Sequence, residues 1–210
     1  MNRSQAVASR SELWWIGRMS TGRLEAFSDG VIAILITIMI LELKVPHGAD
    51  LAALRPVLPV FLTYVLSYVF LGIYWSNHHH LLHATKRVTG GVLWANLHLL
   101  FWLSLVPFVT AWMGESGFRP VPTAIYGGVM LLAAIAYYIL VRVILAEEGA
   151  SSELAAAVGS DTKGRVSPLL YALAIPLSFV RCWIALGLYI FVALIWLVPD
   201  RRIESRLHAR

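Results

Sequence analysis

Histidines gather at one point of this sequence: His78, His79 and His80 stand in a row, and His83 follows four residues after His79. On a helix His79 and His83 would share a face, which is the spacing of two zinc ligands. The same stretch offers no companion carboxylate or cysteine, and the chain holds neither His-Glu-x-x-His nor Gly-x-Ser-x-Gly. No metal centre, cofactor or catalytic residue is therefore expected. A second concentration of chemistry is the run Arg23-Leu-Glu-Ala-Phe-Ser-Asp29, which opens a long apolar segment. Charges beside a membrane span are expensive unless they find partners. Six residues separate Arg23 from Asp29, about 120° around a helix, so the two do not pair with each other. Their partners are expected on other helices, with His78, His79 and Asn96 as candidates. Glu25 and Arg142 read as boundary residues, as do Glu42 and Glu115.

The elements that must position these groups are membrane helices. Of the 210 residues 59% are hydrophobic and only 14% charged, whereas soluble domains run near 45–50% and 25%. A crossing takes about 20 apolar residues, so the chain holds roughly six with short connections. Apolar stretches fall at 26–45, 57–77, 92–113, 121–145, 167–180 and 182–198. The last two are separated by Arg181, which would be costly at the centre of one long span, and two short helices are preferred. The expected fold is an all-α integral membrane protein of six transmembrane helices per subunit.

Charge sets the orientation. The net charge of +5 comes from Lys and Arg between apolar runs rather than on one face, so it signals topology and not nucleic acid. Arg10, Arg18 and Arg23, then Lys86 and Arg87, then Lys163 and Arg165, then Arg201, Arg202, Arg206 and Arg210 all fall on one side of a six-span path. Both termini are expected in the cytoplasm. Cys182 is the only cysteine, so no intrachain disulfide forms. The cluster Leu13 to Ile16 is too short for a signal-peptide core, and the amino terminus is expected to be retained. The divisions expected are a cytoplasmic segment 1–22, a transmembrane domain 23–200 and a basic tail 201–210.

On the first span Ile34, Ile38 and Leu41 recur at i, i+4 and i+7, and Asp29 points about 140° away from Ile34. Periodicity alone makes this stripe a lipid or packing face. The signature Arg23-x-x-x-Phe27-Ser28-Asp29, followed by Gly-Val-x-Ala-Ile-x-Ile-Thr, resembles the hallmark of the transmembrane protein 175 family of potassium channels. Tyr74-Trp75-Ser76-Asn77-His78-His79 and the run from Asn96 to Pro107-Phe108-Val-Thr110 also resemble that family, as does Trp196-Leu-Val-Pro-Asp-Arg-Arg202. The resemblance covers about residues 20 to 202.

It implies a homotetrameric, potassium-permeable channel of the cell (inner) membrane, in which the first helix of each subunit lines a central pore. Ile34 would then be the narrow gate, Ile38 and Leu41 the next apolar rings and Thr37 an adjacent polar contributor. Arg23, Phe27, Ser28 and Asp29 would clamp the first helix to its neighbours through Trp75, His78 or His79, and Asn96. Animal members carry two such repeats, so a single repeat fits a prokaryotic member. The partners implied are further copies of the chain, the bilayer and potassium ions. No Thr-Val-Gly-Tyr-Gly filter and no arginine-rich sensor helix are present, so selection cannot use a carbonyl filter. A secondary transporter would need broken helices and midplane charges, and a membrane enzyme would need a nucleophile or metal in a wet pocket; the sequence favours neither.

Overall fold

The computed structural model describes residues 20–149 and 162–197, all as helices, turns and short connections. Among the described residues seven α-helices follow in order: α1 Thr21–Met39, α2 Leu58–His83, α3 Gly90–Ser104, α4 Val106–Glu115, α5 Pro120–Glu148, α6 Thr162–Val180 and α7 Cys182–Leu197. Single 3-10 turns at Ile40–Glu42 and Leu51–Leu54 occupy the connection from α1 to α2. Such a chain has little alternative to helix, because a helix satisfies every backbone group of an apolar segment internally.

Four segments are long and apolar enough to cross a membrane: Thr21–Glu42, Leu58–His83, Gly90–Glu115 and Pro120–Glu148. The expected third span is in fact two helices, α3 and α4, with Leu105 between them. Pro107 causes the break, since it has no N–H to donate and its ring crowds the carbonyl one turn back. α6, of 19 residues, and α7, a shorter apolar helix of 16, stand where the last two spans were expected. Arg181 lies exposed in the one-residue link between them, and Trp196 near the end of α7 donates to Ser167 near the start of α6 at 2.8 Å. That bond makes the pair an antiparallel hairpin with Arg181 at its tip, the two-helix arrangement expected from the cost of a buried arginine. Pro168 and Pro176 lie inside α6 without ending it. The basic tail, the start of the amino-terminal segment and the loop between α5 and α6 lie largely outside the described residues.

The core sits around α5, which packs on α3, α4, α6 and α7. Two glycines allow the closest approaches. A Cβ on Gly127 would lie 2.1 Å from the Tyr189 hydroxyl, which donates to the carbonyl of Thr123 at 3.0 Å. On Gly114 it would lie 2.7 Å from Val60 Cα, so α4 backs directly onto α2. Ser67 joins Thr110 at 2.7 Å and Tyr126 at 3.1 Å, fastening α2, α4 and α5 through a buried polar knot. α1 packs on α2, α3 and α4 at one margin of this core.

Candidate functional site

α1 begins with a cap: Ser20 Oγ accepts from the N–H of Arg23 at 3.3 Å. The Thr21 hydroxyl then donates to the Thr85 carbonyl at 3.3 Å, tying the start of α1 to the end of α2. From there the helix presents two faces. Leu24, Ser28, Ile32, Leu35 and Met39 are buried. Their spacing of three and four residues is that of one helical face.

Ser28 is the polar member of that buried face. Its hydroxyl donates to the Leu24 carbonyl at 2.9 Å, so its oxygen accepts from the Asn96 side-chain amide at 2.9 Å. That fixes the amide orientation and turns Asn96 Oδ1 toward His78 Nε2, 2.6 Å away. Because Oδ1 can only accept, Nε2 donates. The result is a one-way chain of buried donors, His78 to Asn96 to Ser28 to Leu24, running from α2 through α3 into α1. Among the described residues His78 Nδ1 is left buried with no hydrogen-bond partner. Each such bond contributes about 1 kcal/mol net, and leaving one partner unpaired costs more.

A second, half-buried clamp lies beside it. Trp75 Nε1 donates to Asp29 Oδ1 at 3.1 Å, and His79 Nδ1 lies 2.7 Å from Glu25 Oε1. The Trp75 and His79 rings stack at 6.1 Å, and His79 and His83 at 6.0 Å. The partner of Asp29 therefore comes from another helix, as expected, but it is Trp75 rather than His78. Both histidines serve α1 by different routes: His78 through Asn96, His79 directly to Glu25. Glu25, read from sequence as a boundary residue, is instead a member of the clamp. The signal was its position one turn before Asp29, on the same side of α1.

Arg23 and Phe27 stand apart from the other signature residues. Both are exposed, and among the described residues Arg23 forms no ion pair. Arg23 lies eleven residues before Ile34 and Phe27 seven before it, which places each within about 20° of Ile34 around the helix. They belong to the other face. That face also carries Gly30, Ala33, Ile34, Thr37 and Ile38, all open to the surroundings of the chain, whereas Leu41, expected on the same stripe, lies exposed in the 3-10 turn Ile40–Glu42 beyond the α-helix. Ile34, Ile38 and Leu41 are 57%, 41% and 78% exposed. The Thr37 hydroxyl bonds back to the carbonyls of Ala33 and Ile34, both at 3.0 Å. Its remaining oxygen lone pairs are left on the exposed face. Beyond the far end of α1, Lys44 and Glu115 form an exposed ion pair at 3.0 Å, joining the connection from α1 to α2 with the end of α4.

Comparison with known proteins places this geometry. Residues 23–107 match the family described as the endosomal/lysosomal potassium channel TMEM175. A potassium channel from Chryseobacterium is 56% identical over 189 residues, covering 90% of this chain and 98% of that one. A potassium channel from Chamaesiphon minutus is 33% identical over 190 residues, covering 83% of this chain and 92% of its own length. The crystal structure of a lysosomal potassium-selective TMEM175 homolog from Chamaesiphon minutus superimposes with a TM-score of 0.72 at 31% identity, over 85% of this chain and 96% of that one. With a relative this similar along nearly its whole length, and with the same fold, the chain belongs to the TMEM175 family of potassium channels.

Proposed function

We propose that this chain conducts potassium across the cell membrane as a homotetramer, with α1 of each copy facing the pore and both termini in the cytoplasm. The observation that carries the reading is the division of α1 into an anchored face and an open one. A helix held at its start by two polar clamps leaves Gly30, Ile34, Thr37 and Ile38 exposed, and Leu41 exposed in the 3-10 turn that follows. One copy of α1 cannot enclose a channel, and closed cyclic symmetry brings such faces together around an axis.

In this arrangement Ile34 forms the constriction, and Ile38 and Leu41 form further apolar rings that stop ions by excluding their water. Thr37 supplies the polar oxygen nearest that constriction. Arg23 stands on the same face near the cytoplasmic mouth. No covalent step, cofactor or resident metal enters the conduction mechanism, and potassium is the transported ion.

The test is ion efflux from liposomes holding the purified protein, under potassium or sodium gradients. Potassium efflux faster than sodium efflux is expected for the wild type. Ile34→Asn, which wets the narrowest ring, is expected to raise flux several-fold or to narrow the potassium preference, and Ile38→Ala to act the same way more weakly. Absence of cation flux through folded wild-type protein, or an Ile34→Asn variant identical to wild type, would remove α1 from the pore. A monomer at defined detergent load would remove the tetramer.

A further inference from the structure

The second clamp contains more than hydrogen bonds. Glu25 and Asp29, one turn apart on α1, and His79 on α2 bring two carboxylate oxygens and an imidazole nitrogen within 4.8 Å of one another. In the sequence the histidine run has no carboxylate on its own helix; the fold supplies two from the neighbouring one. At ligand distances of about 2.0–2.2 Å, two atoms on a tetrahedral ion stand about 3.4 Å apart. The 2.7 Å between His79 Nδ1 and Glu25 Oε1 needs to open by less than one ångström, and Asp29, within 4.8 Å of both, to close by no more than about 1.4 Å.

The outer support is already in place. The Trp75 indole N–H holds Asp29 Oδ1 at 3.1 Å, and its ring stacks on His79. One side chain thus orients two of the three ligands. Ligating carboxylates and imidazoles depend on such supporting contacts. All three ligand residues are half-buried, so water and ions reach them while neighbouring side chains limit their freedom.

We propose that Glu25, Asp29 and His79 form a binding site for a divalent cation of the zinc class, bridging α1 to α2. The imidazole separates this group from a common pair of surface carboxylates: nitrogen with two carboxylate oxygens suits zinc, whereas magnesium keeps oxygen ligands and water. The ion takes the place now held by the proton between His79 and Glu25, and water completes the tetrahedron. Its presence would fasten the helix that carries the Ile34 face to its neighbour. The site itself is read by binding alone, so its failure and failure of the pore reading are separate results.

Calorimetric titration of zinc chloride into the purified protein in detergent, with excess magnesium throughout, tests the site. One saturable zinc per chain is expected. Glu25→Gln and His79→Gln should each weaken binding more than tenfold, and Trp75→Phe, which removes only a supporting contact, by about tenfold. His47→Gln, exposed in the connection beyond α1, should leave binding unchanged. In parallel, zinc should raise the unfolding temperature of the wild type where magnesium does not, a result independent of how well any variant folds. The proposal is overturned if the wild type shows no saturable zinc and no thermal shift, or if magnesium competes on equal terms. It is equally overturned if affinity survives both Glu25→Gln and His79→Gln, or is lost with His47→Gln instead.

Discussion

α5 and α1 are both long apolar helices, yet they meet the rest of the molecule in opposite ways. α5 buries twelve of its 29 residues, packs on α3, α4, α6 and α7, and is hydrogen-bonded to α2. α1 buries five of 19, and those five lie on one side. Around α5 the fold is closed by shape, with Gly127 admitting Tyr189 and no space left for a methyl group. Around the start of α1 it is closed by a few directional bonds to α2 and α3, and one whole face stays open. Stability thus concentrates at α5, while the residues assigned to the pore lie where substitution disturbs packing least.

Variants at the two helices sharpen that contrast, with thermal unfolding in detergent as the common measure. Gly127→Ala should have the largest effect, about 3 kcal/mol, because the new methyl meets the Tyr189 ring and separates its hydroxyl from Thr123; an unchanged Tm would mean that α5 and α7 are not in contact. His78→Ala should cost about 2–3 kcal/mol, since it opens a cavity and leaves buried Asn96 Oδ1 without its donor. His78→Gln should recover part of that loss, and no recovery would place the cost in packing instead of the hydrogen-bond chain.

Trp75→Phe keeps an aromatic ring but loses the bond to Asp29, for an expected 1–2 kcal/mol, about the value of a hydrogen bond to a charged group. Lys44→Met should change stability by less than about 1 kcal/mol, because the pair with Glu115 is exposed, and the small difference should vanish in high salt. Ile34→Asn closes the series at about 0.5 kcal/mol or less, even though its effect on ion flux should be the greatest of the five. A stability loss at Ile34 as large as that at Gly127 would show that this face is packed core, and the contrast would collapse.

Much of this was legible in one dimension. Asp29 had to find a partner on another helix, because six residues put Arg23 on a different side. Arg181 had to mark a turn, because lipid is a poor solvent for a guanidinium. Which partner Asp29 finds was not legible, for it depends on the rotation of α2, and that rotation decides between Trp75, His78 and His79. The role of Glu25 was hidden for the same reason. So was the knot of Ser67, Thr110 and Tyr126, three unremarkable residues far apart in sequence that only helix packing brings together.

By itself the sequence determined the solvent, the approximate number and order of helices, the turn at Arg181 and the alignment of Ile34, Ile38 and Leu41, because these follow from hydropathy, charge and the 3.6-residue period. Only the tertiary structure decided which face of α1 is anchored and which left open, and that two carboxylates from one helix meet a histidine from the next. Helical period fixes angles within a helix, whereas contact between helices depends on their relative rotation and height, and those are set by the whole packed core.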